Sequence, residues 1–199
     1  IIKKMSFRIE EKLFIKPENL TQFREFLVKN SIKKLYQKRT ITSLYFDNLS
    51  FDMYKDSIEG SVPRKKIRIR NYLYSEDKKY YLEIKTSSVE GRFKTRKIIS
   101  ENEYKNFVNT GILDQTYGVC VPKFIVSYER EYGEIEDVRI SLDNKISYKN
   151  FVTQTIFKDN KSIVELKTSI KKNLDDLIKL FPFQKIRFSK YCFAVENLN

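Results

Sequence analysis

The chain has 199 residues, 41% of them hydrophobic, with 39 Lys and Arg against 26 Asp and Glu for a formal net charge of +13. That much apolar surface can bury a core, which excludes disorder for the bulk of the chain, and no apolar run reaches the ~18 residues of a membrane span. Histidine is absent and Cys120 and Cys192 form no CxxC pair, which excludes a disulfide scaffold, a His/Cys zinc site and any mechanism built on a histidine base.

In chain order, β-branched and aromatic alternation predicts a first strand over 6–15. Pro17 then opens a helix whose Leu20, Phe23, Phe26 and Leu27 recur at helical spacing. Strands are predicted over 40–46, where Asp47-Asn48 starts a turn, and over 64–72, 80–86 and 93–99. Ser100 and Glu103 form a capping box for a helix carrying Tyr104, Phe107 and Val108 and ending near Gly111. Strands follow over 124–132, 138–148 and 162–168, then a helix over 174–181 that Pro182 stops, then a last strand over 185–195. The helices carry apolar stripes that pack on a mostly antiparallel sheet. Scarce, scattered Gly and Pro mark no linker, so one domain over 1–199 is expected. The opening Ile1-Ile2-Lys3-Lys4 is too short and polar for a signal segment. A cytoplasmic setting with unpaired cysteines is therefore expected, and the pairs Lys3-Lys4, Lys33-Lys34 and Lys171-Lys172 read as solvated surface.

The strands are ionic on one side. In Lys66-Ile67-Arg68-Ile69-Arg70, alternation sends the isoleucines to one face and Lys66, Arg68 and Arg70 to the other. Tyr81-Leu82-Glu83-Ile84-Lys85 and Val164-Glu165-Leu166-Lys167 divide the same way, and Tyr128 shares a face with Arg130. One such strand reads as ordinary sheet with a solvated face. Arginines two apart and Glu-x-Lys pairs in several strands argue differently: with helices covering the apolar outside, a closed barrel would enclose a charged tunnel. The inward cations Lys12, Arg68, Arg70, Lys85, Lys94, Arg96, Arg130 and Lys190 outnumber the inward anions Glu10, Glu83 and Glu165. Desolvating unpaired ions of one sign is costly, so this lining implies water and a polyanion such as a triphosphate. Carboxylates among phosphate-binding cations imply a divalent ion bridging to phosphate oxygens.

The segments Arg8-Ile9-Glu10-Glu11-Lys12, Leu44-Tyr45-Phe46-Asp47, Lys66-Ile67-Arg68-Ile69-Arg70, Leu82-Glu83-Ile84-Lys85, Lys94-Thr95-Arg96, Tyr128-Glu129-Arg130, Ser141-Leu142-Asp143, Val164-Glu165-Leu166-Lys167 and Phe188-Ser189-Lys190-Tyr191 occur in the order of a VTC domain. Over nearly its whole length the chain resembles that family, the polyphosphate polymerase branch of the triphosphate tunnel metalloenzymes and a relative of the CYTH domain. The resemblance implies an α+β, mostly β fold: a closed eight-stranded antiparallel β-barrel tunnel with flanking amphipathic helices. It implies transfer of the γ-phosphate of ATP to a growing polyphosphate chain with Mn²⁺ or Mg²⁺, the partners being ATP and inorganic polyphosphate or pyrophosphate. Lys12, Arg68, Arg70 and Lys190 are the residues it assigns to catalysis. Lys85, Lys94, Arg96, Arg130 and Lys167 would bind substrate phosphates, with Tyr128 and Ser189 hydrogen-bonding them. Glu165 is the implied metal ligand, with Glu10 and Asp143 as further carboxylates near the metal. The hydrolytic CYTH branch carries Glu-x-Glu-x-Lys on its first strand; here Arg8 stands first and leaves Glu10 and Lys12, which favours the polymerase branch.

Two other readings stay open: a metal-dependent tripolyphosphatase or nucleoside triphosphatase with water as acceptor, and a non-catalytic polyphosphate-binding module. Nucleic-acid binding is not expected, because the basic residues sit at alternating strand positions and no nucleic-acid signature accompanies them. Replacing Arg68 or Arg70 by Ala is expected to abolish turnover and to leave the fold intact or more stable, by removing one of several like charges.

Overall fold

The computed structural model describes residues 8–73, 79–169 and 173–199. Ser6 and Phe7 of the expected first strand and the pairs Lys3-Lys4 and Lys171-Lys172 lie outside the described residues, as do the side chains of Arg8, Leu174 and Ile178. Strand β1 (Arg8–Ile15) runs through a 3₁₀ turn at Pro17–Asn19 into α1 (Leu20–Lys29). Next come β2 (Lys33–Asp47), α2 (Asp52–Glu59), β3 (Arg64–Leu73), β4 (Tyr80–Ser88) and β5 (Gly91–Ile99). Helix α3 (Glu101–Thr110) opens on the expected capping box, Ser100 Oγ accepting from Glu103 N and the Glu103 carboxylate accepting from Ser100 N. The chain continues with β6 (Ile112–Asp114), β7 (Gly118–Ile135), β8 (Val138–Asn150), β9 (Ile156–Asp159), β10 (Ser162–Ser169), α4 (Leu174–Leu180) and α5 (Lys190–Leu198).

The strands form one sheet in the order β1-β10-β8-β7-β2-β3-β4-β5, with β6 added on β7 and β9 on β8. Every pairing is antiparallel, as expected. The expected closed eight-stranded barrel is corrected on two counts: the sheet has 10 strands, and among the described residues no backbone pairing joins β1 to β5. The sheet nevertheless curls until its two edges face each other, because Arg92 of β5 reaches Glu10 of β1 at 3.2 Å.

The convex side carries two apolar clusters. Phe23 and Leu27 of α1 and Leu177 of α4 pack on Leu13, Leu142, Val164 and Leu166. Met53 of α2 joins Leu44, Phe46, Ile67 and Ile69, with Tyr104, Phe107 and Val108 of α3 against them. Each fully buried Leu, Ile or Phe contributes about 1.5–3 kcal/mol, so these stripes fix which face of each strand is left to the ions. Helix α5 instead packs on the concave side. Its Tyr191, Cys192, Ala194 and Val195 meet Ile41, Tyr45, Phe124, Val126 and Tyr128, so the interior is part apolar core and part ionic cavity.

The last element is a second correction. Residues 185–195 do not form a strand; only Lys185 bridges to Leu13, and α5 begins at Lys190 behind the Ser189 cap. Its aromatic and β-branched residues suit a strand, but Tyr191, Cys192, Ala194, Val195 and Leu198 also fall on one helical face, and burial of that face decides. Asp47 does start a turn. Its carboxylate accepts from the backbone N–H groups of Asn48, Met53 and Tyr54 and from the Tyr191 hydroxyl, which ties β2 to α2 and α5. Both cysteines are free and buried.

Candidate active site

The curled sheet and α5 enclose a cavity of roughly 1350 Å³. Every sequence-predicted site residue except Arg96 lines it, and Lys and Arg far outnumber Asp and Glu along its walls. Register explains the grouping, since residues directly opposite on neighbouring strands share a level of the wall. At one level Lys66, Lys85 and Lys94 stand side by side on β3, β4 and β5. At the next level Arg68, Glu83 and Arg96 do the same.

The second row is compensated. The Glu83 side chain is 0% exposed and accepts from Arg68 Nε and Nη2 at 2.9 and 2.6 Å and from Lys94 Nζ at 2.5 Å. Arg96 and Arg70 lie 3.5 and 3.8 Å from the same carboxylate. Burial alone would raise the Glu83 pKa, but Arg68 and Arg70 and the Lys94 hydrogen bond bring it down to about 2. Arg70 is further pinned by Ser43 Oγ and by the Tyr128 hydroxyl, and Arg68 donates to the Tyr45 hydroxyl. Tyr128 therefore orients cations, with Arg130 and Lys190 over its ring at 5.2 and 4.7 Å.

The first row is not compensated by carboxylates to the same degree. Lys66 donates to Ser189 Oγ at 2.9 Å, Lys94 goes to Glu83, and Lys85 has no hydrogen-bond or ion-pair partner among the described residues. Loss of bulk water and the neighbouring Arg68 hold Lys85 down to about 7, although its side chain opens onto the cavity. Lys12 donates to the Phe188 carbonyl, and burial together with Lys190 and Lys66 lowers its pKa. Ser189 Oγ also accepts from Cys192 N, so its O–H remains to donate into the cavity from the first turn of α5.

Across the cavity Asp143, 1% exposed, binds Arg130 at 2.5 and 2.7 Å and Lys190 at 2.5 Å. Glu165 lies 3.4 Å from Lys167 and 3.8 Å from Arg130, and these cations hold its carboxyl low against the opposing effect of burial. Lys167 also sits 3.4 Å from Glu10, so its ammonium lies between the carboxylates of β1 and β10. The three acidic residues expected at a metal do not converge: among the described residues no three acidic, His or Cys side chains form a metal-sized group. Arg96 also departs from expectation, since its guanidinium stacks 3.8 Å from the Tyr81 ring centroid and is not part of the cavity lining.

Glu83, expected only as one of several inward anions, is the hub of the site; Lys66, expected on the ionic face but given no role, and Lys185, not expected, both line the cavity. The Lys185 ammonium is buried on the cavity wall without a hydrogen-bond partner among the described residues. Lys66 was legible from its parity with Arg68 and Arg70; no sequence signal marks Lys185.

No helix among the described residues is long and apolar enough to cross a membrane. Solved structures share the fold at low identity. The PH1819 protein of Pyrococcus horikoshii matches with a TM-score of 0.60 and 17% identity, over 96% of this chain and 99% of its own. A candidate adenylate cyclase of Bacillus halodurans matches with a TM-score of 0.64 and 12% identity, over 98% of each chain. The Hippeastrum protein HpAC1, a candidate adenylyl cyclase with a dominant triphosphatase activity, matches with a TM-score of 0.55 and 15% identity over 96% of each chain. A comparison with curated proteins finds no match. The VTC domain model matches residues 7–118 and 113–199, which together span nearly the whole sequence, and the chain belongs to the VTC domain family.

Proposed function

We propose that this protein is an ATP-dependent polyphosphate polymerase that transfers the γ-phosphate of ATP to a polyphosphate chain inside the ionic cavity. The observation that carries the reading is the Lys66, Lys85 and Lys94 row: like charges directly opposite on neighbouring strands are unfavourable without a counterion. A bound phosphate chain supplies that counterion. The cavity exceeds the ~300–1,000 Å³ of drug-sized ligand sites, which leaves room for a nucleotide and a polymer end together. The family match and the triphosphatase activity of a fold relative support a phosphate substrate.

Phosphoryl transfer needs positioning and charge stabilisation more than covalent chemistry. Arg68 and Arg70, held by Glu83, Tyr45, Ser43 and Tyr128, present fixed guanidinium forks, while Lys12, Lys85, Lys94 and Lys190 neutralise charge, joined by Arg130 and Lys167. A phosphate acceptor is already ionised at neutral pH, so the lack of histidine removes no needed base. A preformed all-protein metal cage is not among the described residues, but an ion carried on phosphate oxygens needs one or two carboxylates. Glu165, whose ion pairs are longer than those of Asp143, fits that role, with Glu10 across Lys167. When bound, such an ion neutralises phosphate charge.

Hydrolysis is the second reading, and one feature favours it. Beyond Arg70 and Tyr128 the concave face is occupied by Tyr72, Tyr81 and Tyr132, with Arg39 and Arg96 against their rings. None of these five side chains lines the cavity, so on this side it ends at Arg70 and Tyr128, and a site entered from one side suits a hydrolase. The two readings separate on incubation with ATP, Mn²⁺ and a pyrophosphate primer: ADP matched by polymer is the expected result, and ADP matched by free phosphate would replace the polymerase with a triphosphatase.

Lys85 gives a pH signature. An anion favours its charged form, so tripolyphosphate affinity is expected to fall as pH rises past about 7, and Lys85→Gln to remove that inflection. The sign is opposite for folding: the unfolded chain binds the extra proton between about 7 and the ordinary lysine value of 10.5, so Lys85 makes the free protein more stable as pH rises through that window. Calorimetric titration across pH 6–9 (roughly one unit below to two above the Lys85 midpoint) checks the binding arm, and a flat wild-type profile would remove Lys85 from the site.

A further inference from the structure

We propose that Asp47 and Tyr191 are positioning residues of the phosphate site: their buried hydrogen bond fixes the first turn of α5 and so sets Ser189 and Lys190 in place opposite Arg68 before a ligand arrives. This inference rests on the phosphate reading above.

Asp47 is 0% exposed and has no ion-pair partner among the described residues, an uncommon setting for a carboxylate. Its Oδ1 accepts from the N–H groups of Asn48 and Met53, and its Oδ2 accepts from Tyr54 N at 3.0 Å and from the Tyr191 hydroxyl at 2.5 Å. The three backbone donors hold the turn into α2. The fourth bond reaches instead to the second residue of α5. Neither Asp47 nor Tyr191 lines the cavity, whereas Tyr45, Ser189 and Lys190 do, so the pair acts through what it holds.

It holds two things. Ser189 and Lys190 immediately precede Tyr191, so fixing Tyr191 fixes where the Ser189 hydroxyl and the Lys190 ammonium leave the backbone. The Tyr191 ring also stacks on Tyr45 with centroids 5.4 Å apart and planes 21° apart, and the Tyr45 hydroxyl accepts from Arg68 Nη1 at 3.1 Å. One buried ring thus links the guanidinium on β3 to the first turn of α5.

The other side-chain contacts of that turn show why such an anchor matters. Lys12 donates to the Phe188 carbonyl, Lys66 to Ser189 Oγ at 2.9 Å, and Lys190 to Asp143 at 2.5 Å. All three are ammonium groups on the cavity wall, and a phosphate chain competes for each of them. Contacts that the ligand itself loosens do not keep the turn in place while it binds. The Tyr191–Asp47 bond lies behind the wall, and a hydrogen bond to a buried carboxylate is one of the stronger kinds. A turn fixed in advance spares the cost of ordering it on binding.

Tyr191→Phe keeps the ring on Tyr45 and removes the hydroxyl. Calorimetric titration with tripolyphosphate, well below the melting temperature of the variant, is expected to show binding weakened about tenfold. Tyr148→Phe is the control. The Tyr148 hydroxyl is buried with no hydrogen-bond partner among the described residues, and its ring packs 4.9 Å from Phe193 of the same helix. Its removal is expected to leave affinity within about twofold of wild type. Lys190→Gln separates positioning from plain stability. Because Tyr191 acts through the first turn of α5, adding Tyr191→Phe to Lys190→Gln is expected to cost less than about threefold more. Three results would each overturn the positioning role and leave the proposed function standing: a lower melting temperature with affinity within about twofold of wild type, equal losses of affinity in Tyr191→Phe and Tyr148→Phe, or a further loss of about tenfold on top of Lys190→Gln. Absence of tripolyphosphate binding to the wild type would overturn both.

Discussion

Glu83→Gln is expected to lower the melting temperature by about 6–12 °C. The carboxylate is fully buried and is the shared counterion of Arg68, Arg70, Lys94 and Arg96, so the substitution leaves inward cations facing one another. Breaking a buried pair costs about 3–5 kcal/mol, and because glutamine keeps the shape we take about 3. A chain of this length loses about 2–4 °C per kcal/mol. Two further signs separate this cause from general damage. Saturating tripolyphosphate is expected to raise the melting temperature of the variant more than that of the wild type, since the ligand replaces the missing negative charge. The acid limb also changes. The folded pKa of Glu83 is depressed to about 2, so its contribution is present above the ordinary carboxyl value of 4.5 and is lost as pH falls toward 2; the variant lacks that loss. Calorimetric melting at pH 7 and pH 3 measures both. A variant as stable as wild type at pH 7 would remove Glu83 from the centre of the site.

Arg68→Ala is expected to cut turnover of ATP by about 10³-fold, the scale seen when one fixed donor to a developing charge is removed. Arg68→Lys keeps the charge but loses the fork and is expected to fall between the variant and the wild type. The effect on stability reverses the expectation from sequence. Read as one of several like charges, Arg68 is dispensable to the fold; in the structure its Nε and Nη2 both donate to Glu83, and its loss leaves a buried carboxylate short of the partner that donates to it twice. A lower melting temperature together with lost turnover is the expected pair. Turnover within about tenfold of wild type would take Arg68 out of the catalytic set.

Much of the site was legible because strand parity is a local signal. The alternation in Lys66 to Arg70 depends on five residues, and the structure sends the two isoleucines to the convex core and the three cations to the concave side. Closure was not legible. Whether β5 pairs with β1 depends on how far the whole sheet curls, and no segment of sequence carries that sum. Arg96 has the parity of Lys94, yet one level of register moves it from the cavity to the Tyr81 ring. The hub role of Glu83 was hidden for the same reason: Leu82-Glu83-Ile84-Lys85 looks like Val164-Glu165-Leu166-Lys167, and only register against β3 and β5 surrounds the first with arginines. Helix α2 was missed because its start is set by tertiary contacts, with Phe51 in the left-handed region at φ 58° and Asp47 accepting from Met53 and Tyr54. At α5 the strand-forming residues outweighed a Ser cap in the local reading, and the apolar interior reversed that order.

The central claim is that the ionic cavity is a triphosphate site. Calorimetric titration of the protein with tripolyphosphate at about 0.15 M salt, where exposed charges are screened beyond ~8 Å, measures this most directly. Saturable binding at one site is expected, weakening at least about tenfold in Arg68→Ala and in Lys85→Gln. Absence of binding, or equal affinity in wild type and both variants, would contradict it.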